Sequence, residues 1–277
     1  MRILDFILMK ELSDNAKKEP PSKILNREES LRKRVSLRKR VSSITVLSAL
    51  AVTAAIVVTP AFGYEVGPVA GGGTIEGKVV YNGPVPTRKI IPNKDVEVCG
   101  GIREESLVEV GPDKGVKNAA VYLVDVAKGK AWPVASKPPQ LDNIKCRFEP
   151  EVQVIRAGPL DVVNKDPVLH NTHGYYGNRT AFNMALPNEG QRIPTELTRA
   201  GTVRIDCDAH GWMEGWIYVV DNPYYAITGD DGKFSITDVP PGTYKLVAIQ
   251  SYTGPIEQSV TVEGGKPTTL TIELKKK

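Results

Sequence analysis

Histidine and cysteine are both scarce: the 277 residues hold three of each. A catalytic copper cluster needs more imidazoles than that, so none can form within one subunit. A two-copper electron-entry site needs two cysteines in one loop, and a c-type haem needs Cys-x-x-Cys-His; neither pattern occurs. A zinc-protease motif is absent as well. Long amphipathic helical periodicity is also missing, while 25 Gly and 21 Pro punctuate the chain with turns. Short strands, and hence an all-β fold, are expected.

Basic charge is lacking where a nucleic-acid surface would need it. The formal net charge is +4, but residues 1–63 hold 12 Lys+Arg against 6 Asp+Glu, leaving 24 basic and 26 acidic groups in the rest. The body is slightly acidic, and no nucleic-acid partner is expected. The cations gather in Arg32-Lys33-Arg34 and Arg38-Lys39-Arg40, directly before an apolar run from Ile44 to Val58. After a basic N-terminal region at 1–43, the segment 44–63 has the order of an export signal, with cleavage expected before Tyr64. The run is at or below the length that crosses a bilayer, so a retained membrane anchor at 44–58 is the alternative. Either way the positive flank stays inside, and residues 64 onward are expected in the periplasm or another extracytoplasmic space.

One short stretch concentrates the chemistry. Cys207-Asp208-Ala209-His210-Gly211-Trp212-Met213 offers a thiolate, an imidazole and a thioether, and His170 lies 37 residues upstream of the cysteine. Cys, two His and a distant Met form the soft, trigonal donor set that suits a single copper cycling between two oxidation states. Zinc held by His170, His173, Cys207 and His210 is the competing metal reading, and it leaves Met213 idle. A Cys-His nucleophile pair is formally available, but residues this close in one turn rarely form it. With Cys207 assigned to the motif, Cys99 and Cys146 are the expected disulfide in an oxidising compartment, two buried free thiols being the alternative.

Alternation places the motif in the fold. Val203, Ile205 and Cys207 share one face of a strand while Arg204 and Asp206 share the other, so Cys207 should point inward. Further strands are expected at 74–81, 119–126, 145–148, 152–156, 160–164 and 216–220. Beyond Asn222 they continue at 226–228, 233–236, 243–250, 258–262 and 268–274. Residues 64–73 form a Gly-rich linker, and the polar segment 174–199 reads as loops with one edge strand at most.

These residues look familiar. Lys145 to Gly174 and Gly201 to Val220 resemble cupredoxins, in particular the amicyanin type, whose ligand loop reads Cys-x-x-His-x-x-Met. Pro167, His170 and Asn171 echo the family's Pro…His-Asn element, with Val168-Leu169 as an insertion. The resemblance implies a Greek-key β-sandwich, with type 1 copper on His170, Cys207, His210 and Met213. It also implies that Asn171 ties its loop to the backbone beside the cysteine, that His173 is not a ligand, and that the second loop histidine lies near the surface beside Trp212. The activity implied is one-electron transfer with a redox protein such as a cytochrome or a dehydrogenase, without catalysis. A copper-binding, storage or adhesive envelope module is the alternative.

The C-terminal run Thr228-x-x-Asp231-Gly232-x-Phe234 through Pro241-Gly242-x-Tyr244-x-Leu246 resembles carboxypeptidase regulatory-like modules, implying a second, smaller β-sandwich and no protease. The strand at 74–81 resembles the opening strand of such modules, so the first sandwich could be inserted in the second. The expected divisions are leading strands at 74–117, a cupredoxin domain at 118–221 and the regulatory-like domain at 222–277.

Overall fold

The computed structural model describes residues 63–276; the basic region and nearly all of the expected signal or anchor segment fall outside them. In chain order the strands are β1 (Glu65–Val66), β2 (Gly73–Tyr81), β3 (Thr87–Ile90), β4 (Arg103–Ser106), β5 (Ala120–Val124), β6 (Lys128–Gly129), β7 (Gln140–Ile144), β8 (Arg147–Glu149), β9 (Val152–Arg156) and β10 (Gly158–Asn164). They continue as β11 (His170–Tyr176), β12 (Arg179–Leu186), β13 (Arg192–Leu197), β14 (Gly201–Cys207), β15 (Glu214–Val220), β16 (Tyr225–Ile227), β17 (Lys233–Val239), β18 (Gly242–Gln250), β19 (Gly254–Val262) and β20 (Pro267–Leu274). A single helical turn, α1 (Val96–Cys99), lies between β3 and β4. The described chain is thus nearly all β, and none of its helices is long and apolar enough to cross a membrane.

Two sandwiches account for most strands. One pairs a four-stranded sheet, β13-β10-β7-β8, with a five-stranded sheet, β12-β11-β14-β15-β9. Its core includes Leu141, Phe148, Leu160, Val162, Val203, Ile205, Ile217 and Val219, contributed by alternate positions of both sheets. The other pairs β16-β5-β18-β19 with β17-β2-β20 around a separate core that includes Ile75, Val79, Leu123, Ile236, Leu246 and Ile272. Between them, Tyr218 and Val220 of β15 pack with Val152 and Val154 of β9 and Ala120 of β5. This explains why β15, Glu-Gly-Trp-Ile-Tyr-Val-Val, reads as an apolar run: one face fills its own core and the other fills the junction.

Several sequence-based expectations change. The strand at 119–126, assigned to the first sandwich, belongs to the second: β5 pairs antiparallel with both β16 and β18. The boundary at 118 therefore moves, and the first sandwich, β7 to β15, is an insertion between β5 and β16. An apolar strand buried on both faces carries no local mark of which sheet it will join. The segment 174–199 is not mainly loop but holds the end of β11 together with all of β12 and β13. The last two are edge strands whose outward positions are polar, which erases the apolar signal. Lys145 and Cys146, expected in a strand, instead have φ of 51° and 52° and form the turn between β7 and β8.

An arm leaves the second sandwich after β2. It runs out as β3, turns through α1 and returns as β4, antiparallel to β3 from Thr87↔Ser106 to Ile90↔Arg103.

Candidate metal centre

Register brings the distant histidine to the cysteine. β11 begins where β14 ends, and their antiparallel pairing sets Thr172 opposite Cys207, so His170 lies just beyond the end of the cysteine's strand. After Cys207 the chain makes two successive turns: His210 N–H donates to the Cys207 carbonyl at 3.1 Å, and Met213 N–H donates to the His210 carbonyl at 2.9 Å. Bonds of this i→i+3 kind eclipse side chains three apart, which turns residues 207, 210 and 213 to one side. Glu214 then starts β15, antiparallel to β14.

The donor atoms converge. Cys207 Sγ lies 3.8 Å from His170 Nδ1 and 3.7 Å from His210 Nδ1, and the two nitrogens are 3.1 Å apart. The point equidistant from all three lies about 2.1 Å from each, close to first-row metal bond lengths of roughly 2.0–2.3 Å to imidazole and thiolate. His170 and His210 are 0% exposed, Cys207 2% and Met213 3%; Met213 belongs to the same apolar cluster as the cysteine. These residues fit a copper ion as a donor set: a soft sulfur and two nitrogens face one another across a gap of metal size, with a thioether in the next turn.

Each ring is held from behind by a carboxylate. His170 Nε2 bonds Asp166 Oδ2 at 2.8 Å, and His210 Nε2 bonds Asp95 Oδ2 at 2.9 Å. An N–H committed to a carboxylate leaves Nδ1 as the free lone pair, which in both rings is the atom turned into the gap. Asp166 is itself buried, and its charge is met by the backbone N–H groups of Lys145 at 2.7 Å and Cys146 at 2.9 Å. The positive φ of those two residues is what aims successive amides at one anion. Asn164, fully buried, clamps the same loop: its amide donates to the Val168 and Leu186 carbonyls, and its oxygen accepts from Asp166 N–H.

Burial favours the neutral forms of Cys207 and His170. Burial pushes the Cys207 thiol up, with the backbone N–H of Asn171 pulling the other way. Burial lowers His170, opposed by its bond to Asp166, which favours the neutral ring.

Three of the four expected ligand residues, His170, Cys207 and His210, converge here, and Met213 follows one turn later. Asn171 does tie its loop to the cysteine, though through the main chain: its N–H donates to Cys207 Sγ at 3.4 Å, and its carbonyl accepts from Asp208 N–H at 3.1 Å. Its side-chain oxygen is buried without a partner among the described residues. His173 lies apart, bonded to Asp208 at 3.1 Å and Thr180 at 2.9 Å and stacked on Tyr175. His210 does not reach the surface, contrary to the expectation carried by the resemblance. Asp95 and Trp212, whose ring centroid lies 5.1 Å from that of His210, cover it. Cys99 and Cys146 are disulfide-bonded. Asp95 and Asp166 escaped sequence reasoning. Asp166 had a faint signal in its spacing, four residues before His170, whereas Asp95 had only its nearness to Cys99.

Comparison with known proteins follows the same division. Residues 217–275 match the carboxypeptidase regulatory-like domain family. Among solved structures, a mutant of amicyanin in its reduced state is 24% identical, covers 31% of this chain and 86% of its own, and has a TM-score of 0.28. Amicyanin from Paracoccus versutus is 20% identical over 31% of this chain and 85% of its own, also with a TM-score of 0.28. A copper-containing nitrite reductase from Thermus scotoductus is 20% identical over 36% of this chain and 25% of its own, with the same score. No curated protein matches the chain in sequence. The match begins inside β15 and does not include β2 and β5, the two strands that complete the second sandwich from upstream of the insertion.

Proposed function

We propose that the chain is an exported mononuclear type 1 copper protein that carries one electron between redox partners. The observation behind this reading is the buried triangle of Cys207 Sγ, His170 Nδ1 and His210 Nδ1, with sides of 3.8, 3.7 and 3.1 Å. Copper held there would alternate between Cu(I) and Cu(II), accepting and delivering a single electron. Cys207 would supply a thiolate and His170 and His210 two imidazoles to hold the ion, with the thioether of Met213 as the fourth candidate donor. The chain's contribution is rigidity. Cys207 ends a paired strand, His170 opens the neighbouring one, and both rings are fixed by carboxylates, so the donors stand in place before binding. Burial keeps water from competing for the ion.

We read the protein as a carrier rather than an enzyme, with a cytochrome or a dehydrogenase as partner. The Cys99–Cys146 disulfide and the signal-like leader favour a periplasmic or other extracytoplasmic location. The complete burial of His210 favours a second reading, in which the protein holds copper without passing electrons. Voltammetry of the copper-loaded protein together with stopped-flow mixing against a c-type cytochrome separates the two. Reversible cycling with fast exchange supports the carrier. No exchange, with copper surrendered to a Cu(I) chelator, supports storage.

A further inference from the structure

The carboxylate behind His210 comes from outside the metal-bearing sandwich. Asp95 sits at the tip of the arm, 115 residues before the histidine it bonds. Its backbone is left-handed, φ 51° and ψ 34°, a conformation that Asp tolerates better than most residues. The arm is fastened at several points, all near the ligands. Cys99 is bonded to Cys146, the residue whose N–H holds Asp166 behind His170. Arg88 donates to the Trp212 carbonyl in the ligand loop at 3.1 Å and pairs with Glu214 at 3.3 Å. Glu105 pairs with Arg147 of β8 at 2.8 Å. Meanwhile Ile91, Val96 and Ile102 at the tip stay 60%, 46% and 65% exposed. A segment packed there only to cover apolar surface would bury these three. This one leaves them in solvent and delivers a carboxylate to a fully buried imidazole.

Resting on the copper reading above, we propose that Asp95 is a positioning residue of the metal centre and that the Cys99–Cys146 disulfide keeps it in place. Asp95 holds the His210 ring with Nε2 protonated and Nδ1 facing the ion, and its negative charge makes that nitrogen a stronger donor, favouring Cu(II) over Cu(I). The disulfide ties both supporting carboxylates together. Cys99 N–H donates to the Asp95 carbonyl at 2.8 Å, and Cys146 N–H to the Asp166 carboxylate at 2.9 Å.

The test compares wild type with Asp95→Ala, Asp95→Asn and the double variant Cys99→Ser/Cys146→Ser. In the metal-free protein, ring ¹⁵N NMR should report the Nε2-protonated tautomer of His210 in wild type, and a tautomer mixture in Asp95→Ala. With Cu(II), Asp95→Ala should lose about tenfold or more in affinity. Its reduction potential should rise by about 59 mV for each tenfold loss of Cu(II) over Cu(I) preference. Asp95→Asn, which keeps an acceptor oxygen without the charge, should fall between. The double cysteine variant should shift the same way, and adding Asp95→Ala to it should change little. A variant that melts earlier but keeps the wild-type tautomer, affinity and potential would overturn the proposal by showing a purely structural contact. A wild type that binds no copper yet keeps the His210 tautomer in an Asp95-dependent way would overturn the copper reading, and with it this residue's role towards copper, while upholding the hydrogen bond itself.

Discussion

At the scale of single residues, the centre is a case of buried polar groups each given a partner. His170 spends one nitrogen on Asp166, Asp166 spends its oxygens on two amides, and Asn164 holds the loop that carries both. Neutralised in this way, the groups can sit in a core without the several kcal/mol that a bare buried charge would cost, roughly. The protonation states have a consequence for the metal-free protein. His170 is lowered by burial, so its folded form prefers neutrality. Its contribution to stability is complete above the ordinary value of 6.5 and is lost as pH falls below it towards the lowered native value. Cys207 is raised by burial, so its contribution is complete below its ordinary value of 9.0 and is lost as pH climbs above it. Urea midpoints of the metal-free protein should therefore fall on both sides of neutrality. The acid limb should flatten in His170→Gln; an unchanged acid limb would mean that this imidazole is already charged when folded.

At the scale of elements, much of the candidate centre could be read in the sequence because three of its four donors, Cys207, His210 and Met213, repeat every three residues along one loop. That spacing needs no knowledge of the rest of the chain. The alternation of Val203, Ile205 and Cys207 likewise foretold an inward cysteine, and the burial of all three agrees. What stayed hidden depends on pairing between distant strands. The register of β11 on β14, the choice of sheet by β5, and the reach of the arm to His210 are set by contacts tens of residues apart. Polar edge strands such as β12 and β13 also carry little pattern, since one side of each faces solvent. Within the second sandwich, Gly77 is closely packed. A Cβ there would come within 2.5 Å of the Phe234 ring and 2.7 Å of the Leu270 carbonyl. Gly77→Ala should destabilise by about 1–3 kcal/mol in chemical denaturation. Because Gly77 belongs to a different core from the ligands, copper binding at ambient temperature should be unchanged.

At the scale of the whole molecule, one β-sandwich is interrupted by another. β2 lies between β17 and β20, and β5 between β16 and β18, so both halves of the second core need strands that precede the insertion. The excised segment 222–277 should therefore fail to fold, giving no cooperative thermal transition by circular dichroism. A shortened chain in which 126–221 is replaced by a turn joining β5 to β16 should melt cooperatively, because those strands are already antiparallel neighbours. Independent folding of 222–277 would show that the upstream strands are accessory. The arm leaves one sandwich and packs over the 207–213 loop of the other, joined to it by the disulfide between Cys99 and Cys146.

The most direct check on the proposed copper centre is the visible absorption spectrum of residues 64–277 titrated with Cu(II), wild type beside Cys207→Ser. An intense thiolate-to-copper band that saturates at one ion per chain and vanishes in the variant is the expected result. A colourless wild type, or a band that survives the loss of the Cys207 sulfur, would contradict it.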